Sequence, residues 1–124
     1  QRYPRTILQL NNALAASATD ACAATMTAPI RNGWRGPYLS KGVTGELSIG
    51  DFTVKDTLIR VPTTDAGTAP GILQIRVIDV DQTSATDVER QFDGGNPVDF
   101  TTGTVLWSAN GADTLKLQIL IRNC

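Results

Sequence analysis

The 124-residue sequence contains no histidine, two cysteines, one methionine and no long apolar run. Histidine is the usual general base and the commonest metal ligand, so its absence excludes Ser-His and Cys-His nucleophile pairs. Ser40 and Ser84 therefore have no histidine to activate them. No stretch approaches the roughly 18 apolar residues of a membrane-spanning helix. We predict a protein that is not an enzyme and has no cofactor, no metal and no small-molecule substrate.

The composition fits one globular domain over residues 1–124, since 41% of the residues are hydrophobic and 19% are charged. A net charge of −1 gives no bulk attraction to nucleic acid or to an anionic membrane. The charge is nevertheless uneven: residues 1–60 hold seven cations and four acids, and residues 61–124 hold four cations and eight acids. Two interpretations stay open, chance variation in composition and oppositely charged surfaces through which copies of the chain stack.

The two cysteines, Cys22 and Cys124, predict one disulfide that closes nearly the whole chain. Such a bond implies an oxidising compartment. Closing a loop of about 100 residues contributes roughly 4–5 kcal/mol by chain-entropy estimates. The alternative is a pair of unrelated buried thiols.

The N-terminal region has the apolar spacing of a helix over about residues 5–26. Ile7, Leu10 and Leu14 recur at intervals of three and four, which puts them on one helix face. Alanine is abundant there and favours helix. Pro29 favours an end to the helix just before it. Over about residues 27–45 we expect a loop rich in glycine and proline, with Trp34 and Tyr38 pinning it to the core.

The remainder, about residues 46–124, has strand-like alternation interrupted by one short helix. Predicted strands cover 46–49, 52–61, 71–80, 102–108 and 114–121, and the helix covers 84–92, with Thr83 or Ser84 as its cap. Asn110-Gly111 is a strong hairpin turn between the last two strands. The predicted fold class is α+β, with a long N-terminal helix packed on an antiparallel sheet.

Two segments resemble the type IV pilins and type II secretion pseudopilins. Residues 32–39, NGWRGPYL, follow the predicted helix as a Trp-x-x-Pro-Tyr element follows the first helix of those proteins, with Trp34, Pro37 and Tyr38 at the matching positions. Residues 87–96 and then 102–105 resemble a second feature, a short helix ending in an Asp-Gly-Asn-like turn before a Thr-Gly that opens the next strand. One departure is Cys22, because many pilins place both cysteines in the C-terminal half.

The resemblance implies a structural subunit of a bacterial type IV pilus or pseudopilus-like filament. Its N-terminal helix, through the face of Ile7, Leu10 and Leu14, would assemble it with copies of itself or with other pilin subunits. A cleaved leader and about 25 apolar residues would precede Gln1 and hold the precursor in the inner membrane. The expected location is the cell envelope and then an extracellular filament.

Other functions remain open alongside this one. A minor pilin could bind DNA through Arg31, Arg35 and Lys41, or a surface glycan through its aromatic residues, although the chain is not basic overall. Calcium could bind among the aspartates at 79, 81, 87 and 93, but their spacing matches no known calcium loop. An unrelated secreted enzyme or inhibitor would instead carry a conventional signal peptide.

Overall fold

A six-stranded antiparallel sheet dominates the computed structural model, which describes residues 2–40, 43, 45–62, 71–95 and 97–121. Its strands are β1 (Leu47–Ile49), β2 (Phe52–Val54), β3 (Ile59–Pro62), β4 (Gly71–Ile78), β5 (Val105–Ser108) and β6 (Thr114–Ile121). The helices of the described residues are α1 (Leu8–Asn11), α2 (Ala28–Asn32) and α3 (Gln82–Phe92).

Strand β4 is at the centre of the sheet. Along one edge it pairs with β6 over its whole length up to Val77, which lies opposite Leu115. Along its other edge it pairs with β3 near its start and with β2 near its end. Strand β1 continues the sheet beyond β2, and β5 continues it beyond β6. Every pairing is antiparallel. A short turn joins β1 to β2, and another joins β5 to β6.

Two buried clusters lie on the same face of this sheet. Leu73 and Val77 are four residues apart on β4 and so point to the same side. The first cluster contains Ile7, Val43, Val54, Leu58, Leu73 and Ile121. Residues 2–18, called the N-terminal segment below, pack over it. The second contains Val80, Ala85, Val105 and Leu115, and α3 packs over it. The N-terminal segment and α3 therefore cover regions towards opposite ends of β4.

The predicted helix over residues 5–26 is wrong. Only Leu8–Asn11 is helical in this region, and Asn12 already has extended backbone angles, φ −112° and ψ 149°. The chain then turns back, and Pro4 and Asp20 form an isolated antiparallel bridge. The predicted fold class, a long N-terminal helix packed on a sheet, is therefore corrected to a mostly antiparallel β fold with short helices in the described residues.

Short polar side chains explain why this alanine-rich segment does not continue as a helix. Asparagine, serine, threonine and aspartate bond nearby backbone groups and so compete with helical hydrogen bonds. The carboxylate of Asp20 accepts the backbone N–H groups of Cys22 and Ala24, both at 2.9 Å. Ala23, between them, has a φ of 62°, which lies outside the right-handed helix.

The predicted long second strand is divided into β2 and β3, because the N-terminal segment pairs with the residues between them. The N–H of Ile7 donates to the carbonyl of Asp56, and the N–H of Leu58 donates to the carbonyl of Arg5, both at 2.8 Å. The Asp56 carboxylate also accepts the N–H of Leu8 at 2.9 Å. This bond satisfies a donor at the start of α1 that has no partner within the helix. Backbone pairing and the buried side chain of Ile7 together hold the segment on the sheet.

Helix α3 lies where a short helix was predicted and begins two residues earlier, at Gln82. Its N-cap is Asp81, and not Thr83 or Ser84, because the Asp81 carboxylate accepts the N–H of Ser84 at 2.7 Å. Among the helices of the described residues, none is both long and apolar enough to cross a membrane.

Candidate functional site

The first pilin-like motif forms a loop that packs on the N-terminal segment; residues 33–39 are called the Trp34 loop below. The indole N–H of Trp34 donates to the carbonyl of Gln9 at 3.2 Å. The N–H of Tyr38 donates to the carbonyl of Leu10 at 2.8 Å. The two rings meet edge to face, with centroids 5.8 Å apart, a favourable geometry for aromatic pairs. Pro37, which precedes Tyr38 in the sequence, is exposed.

Gly36 allows this packing because the Trp34 ring lies directly over it. A Cβ atom at position 36 would overlap the ring atoms of Trp34. The hydroxyl of Tyr38 closes the loop from the other side by accepting the N–H of Arg35 at 3.0 Å. The sequence Trp-Arg-Gly-Pro-Tyr therefore encodes one local structure, in which the glycine makes room for the indole.

Gly36→Ala is expected to displace Trp34 and to lower the free energy of unfolding by about 1–3 kcal/mol, as overpacking does. Gly33→Ala is the matched control, because a Cβ there would meet only backbone carbonyl oxygens, that of Pro29 at 3.2 Å and that of Ile30 at 3.4 Å. Heteronuclear NMR measures the result directly, since the indole N–H of Trp34 should shift. The indole of Trp107, which donates to the carbonyl of Val80, should not move. An unshifted Trp34 resonance would contradict the packing argument.

The side chain of Asp93 joins the two parts of the second motif, residues 87–96 and 102–105. Asp93 directly follows Phe92, the last residue of α3. Its Oδ2 accepts the N–H groups of Thr104 and Val105, each at 2.8 Å. These bonds hold the pKa of Asp93 below its ordinary value, the bond from Val105 having the largest effect. We call these three residues the Asp93 junction. It connects the end of α3 to the start of β5 across eleven residues of sequence.

Gly103 is required at the junction on two counts. Its φ is +91°, a conformation that side chains other than glycine rarely adopt. A Cβ at this position would also lie 2.6 Å from Oδ2 of Asp93. The Thr-Gly of the motif therefore brings the backbone of the β5 start close to the carboxylate.

Asp99 organises the turn next to the junction. Its carboxylate accepts the N–H of Thr101 at 2.8 Å and the hydroxyl groups of Thr101 and Thr102, each at 2.6 Å. The hydroxyl bonds, that of Thr101 foremost, lower the pKa of Asp99 to about 2. The N–H of Asp99 in turn faces the carboxylate of Glu89 at 3.4 Å. Glu89 is 2% exposed, and its second oxygen has no hydrogen-bond partner.

We expect NMR to show Asp99 titrating with a midpoint near pH 2. Because its pKa falls on folding, this carboxylate stabilises the protein above about pH 4, the ordinary pKa of aspartate. That contribution disappears as the pH falls from about 4 towards 2. Replacing Thr101 and Thr102 together by valine should move the midpoint up towards 3.8, the unshifted value. A wild-type midpoint near 4 would show that the hydroxyl bonds do not form in solution.

Residues of the N-terminal segment, α2 and the Trp34 loop together line an apolar groove. Its volume is about 230 Å³, and its lining includes Leu10, Leu14, Met26, Ile30 and Trp34. Of the residues assigned to an assembly helix face, Ile7 is buried in the first cluster and Leu10 packs against that cluster. Leu14 lines the groove instead. The structure therefore does not arrange these three residues as one stripe.

Cys22 lies in the turn shaped by Asp20 and is disulfide-bonded. Its predicted partner, Cys124, lies outside the described residues. Arg2 donates to the other oxygen of Asp20 at 2.5 Å. Asp20 is 1% exposed, so its buried charge is compensated by a guanidinium and two backbone donors.

Two of the candidate DNA-binding residues, Arg31 and Arg35, donate hydrogen bonds to nearby backbone carbonyls. A guanidinium nitrogen of Arg31 donates to the carbonyl of Met26, and one of Arg35 donates to the carbonyl of Asn32. Lys41 lies outside the described residues. The candidate calcium ligands at 79, 81, 87 and 93 do not converge, and the described residues contain no group of three acidic or cysteine side chains arranged to hold a metal ion.

The sequence indicates both motifs but not the side chains that fix their structure. From the sequence, Asp93 is only a turn residue and a candidate calcium ligand, and no sequence pattern indicates that Asp20 and Glu89 are buried. The sequence signal for the bonding role of Asp93 is the Thr-Gly at 102–103, which follows the Asp-Gly turn within about ten residues. Comparison with protein-family models, curated protein sequences and solved structures gives no match.

Proposed function

We propose that this chain is the globular head of a subunit of a bacterial type IV pilus or pseudopilus-like filament. The observation that carries the proposal is the Asp93 junction. The two segments that resemble the second pilin feature, 87–96 and 102–105, are separate in the sequence, and Asp93 joins them through Thr104 and Val105. These bonds support the proposal because they make the two segments one local structure.

The Trp34 loop gives independent support. Its tryptophan and tyrosine both bond the N-terminal segment, at Gln9 and Leu10, so the loop is built around the region that precedes it. In a filament subunit, this arrangement would couple the head to whatever lies upstream. The described residues contain no long N-terminal helix. Assembly therefore depends on surfaces of the head, and not on a helix face formed by Ile7, Leu10 and Leu14.

The proposal also concerns location and partners. We expect an apolar segment upstream of Gln1 that holds the precursor in the inner membrane, followed by incorporation with copies of the same chain or with other pilin subunits. The disulfide at Cys22 is compatible with an oxidising environment outside the cytoplasm. These assignments depend on the family resemblance.

Filaments sheared from cells and labelled with antibodies against the head test the proposal. We expect the antibodies to decorate polymers by electron microscopy, and the decoration to vanish when the gene is deleted. The proposed function would be contradicted if the protein occurred only as free chains in the medium and no polymer were labelled.

A second candidate is a minor subunit that binds an anionic partner such as DNA. Residues 2–40 favour it, since they hold four arginines and one acid, and that acid, Asp20, is buried. We expect only weak binding, because useful affinity needs several phosphate contacts and Arg31 and Arg35 are bonded locally. In a mobility-shift titration, a salt-sensitive complex at micromolar protein would favour this candidate over the purely structural role.

A further inference from the structure

Phe92 is an aromatic side chain that the fold leaves uncovered. It ends α3 and continues the helix face on which Ala85 and Glu89 are buried, at the spacing of successive turns. Ala85 is 0% exposed, but Phe92 is 60% exposed. The next residue, Asp93, is fixed by the Asp93 junction, so the position of Phe92 is held by the end of the helix and by β5.

The groove beside the Trp34 loop is an apolar opening, and its lining includes the aromatic residues Trp34 and Tyr38. Met26, 4% exposed, lies in its wall together with Leu10, Leu14 and Trp34. Its volume of about 230 Å³ is below the roughly 300–1,000 Å³ of typical small-molecule sites. A single large side chain from a protein partner suits this opening better than a separate ligand.

The charges around the two features are opposite. The groove is formed by residues 2–40, which contain four arginines and one acid, Asp20. Asp20 is buried and paired with Arg2, which lines the groove. Phe92 belongs to residues 79–99, which hold six acids and one cation, Arg90. Of those six acids, all but Glu89 are exposed. Complementary fields of this kind orient partners and exclude the wrong pairing of like surfaces.

We propose that Phe92 of one copy inserts into the groove of a second copy, so that the acidic α3 end meets the arginines beside the groove. This inference rests on the proposed function, since it names the contact by which neighbouring subunits meet. The contact is heterologous, because one surface binds a different surface on the next copy. Such a contact propagates into a filament when its rotation does not close.

Site-specific photocrosslinking of the purified chain tests the contact. Phe92 is replaced by p-benzoylphenylalanine in one copy, which is mixed at millimolar concentration with an isotope-labelled second copy and irradiated. Benzophenone reacts readily with methionine, and Met26 is the single methionine of the chain. We expect an adduct between the two copies on the tryptic peptide 6–31. The matched control places the same probe at Ile49, which is 55% exposed on β1.

Two substitutions test the charge argument. Arg35→Glu in the labelled copy should lower the adduct yield by roughly 3- to 10-fold at low salt, and added salt should lower the wild-type yield as well. Lys55→Glu, the matched reversal of a cation away from the groove, should have little effect. Phe92→Ala should weaken self-association measured by sedimentation by about 10-fold or more.

The proposal is overturned if the probe at position 92 gives no more adduct between copies than the probe at 49, or if its adduct maps outside the groove. These experiments use purified protein, so their outcome is independent of filaments in cells. An adduct without cellular filaments would keep the contact and reject the filament function. Filaments without the adduct would keep the function and reject this contact.

Discussion

Cys22→Ser is expected to lower the free energy of unfolding by about 2–5 kcal/mol, the usual cost of removing a native disulfide from a small domain. Cys22 is disulfide-bonded in a turn between the N-terminal segment and α2. That region has little regular structure of its own, since α1 has four residues and α2 has five. The bond therefore restrains a part of the chain that contains little regular secondary structure.

Thermal and denaturant unfolding with and without reductant measure this effect. Reduced wild type and Cys22→Ser should melt at similar temperatures, several degrees below the oxidised protein. Ser17→Ala is a suitable control, because Ser17 is an exposed residue of the same segment and should change stability by less than about 0.5 kcal/mol. An oxidised protein that melts no higher than the reduced one would show that the bond contributes nothing to stability.

Asp93→Ala is expected to cost about 2 kcal/mol, because it removes the charged acceptor of two backbone N–H groups. One of those groups belongs to Val105, which is 0% exposed and part of the second buried cluster. The free-energy cost is no larger because Asp93 itself is exposed, and solvent screens its charge. Asp93→Asn keeps an acceptor oxygen and should cost less, and Asp51→Ala, an exposed aspartate in the turn between β1 and β2, should cost little.

A double-mutant cycle with Gly103 separates this contact from general damage to the turn. Gly103→Ala alone should destabilise by about 1–3 kcal/mol, through backbone strain and through overlap with Oδ2 of Asp93. In the Asp93→Ala background the overlap is gone, so the same change should cost less. Strictly additive effects of the two substitutions would mean that Asp93 does not contact the Thr-Gly turn.

The pH dependence of the wild type supplies a further check. The pKa of Asp93 is lowered in the folded state. Its stabilising effect is therefore present above the ordinary aspartate pKa and is lost as the pH falls below it. Asp93→Asn should remove this part of the acid sensitivity.

The sheet and α3 could be predicted from the sequence because their patterns are local and strong. The predicted strand 71–80 alternates in sequence, and the predicted strand 114–121 is rich in β-prone residues; they correspond to β4 and β6. Asn110-Gly111 marks the hairpin between β5 and β6, and Gly111 has the positive φ of 75° that such a turn favours.

The N-terminal region could not be predicted in the same way, because its spacing and its residue types disagree. Ile7, Leu10 and Leu14 have helical spacing, but the backbone of Ile7 bonds Asp56, which is distant in the sequence. Asp20 bonds its own neighbours and fixes a turn. Tertiary pairing therefore overrides a local helical preference, which is weak where short polar side chains interrupt it.

Part of the candidate site could be predicted from the sequence. Its motifs were recognisable in order, whereas the groove, the exposure of Phe92 and the bonds of Asp93 depend on how distant segments meet. The uneven charge along the chain was visible at once. Which surfaces carry it became clear only from the fold, with residues 2–40 beside the groove and residues 79–99 around α3.

The most direct test of the filament proposal is the N-terminal peptide of the native protein, identified by mass spectrometry from a cell-envelope or sheared-filament fraction. We expect an N-methylated residue at the head of an apolar stretch of about 25 residues that runs into Gln1. A conventional signal-peptide cleavage directly before Gln1, in a protein recovered only as free chains, would contradict it.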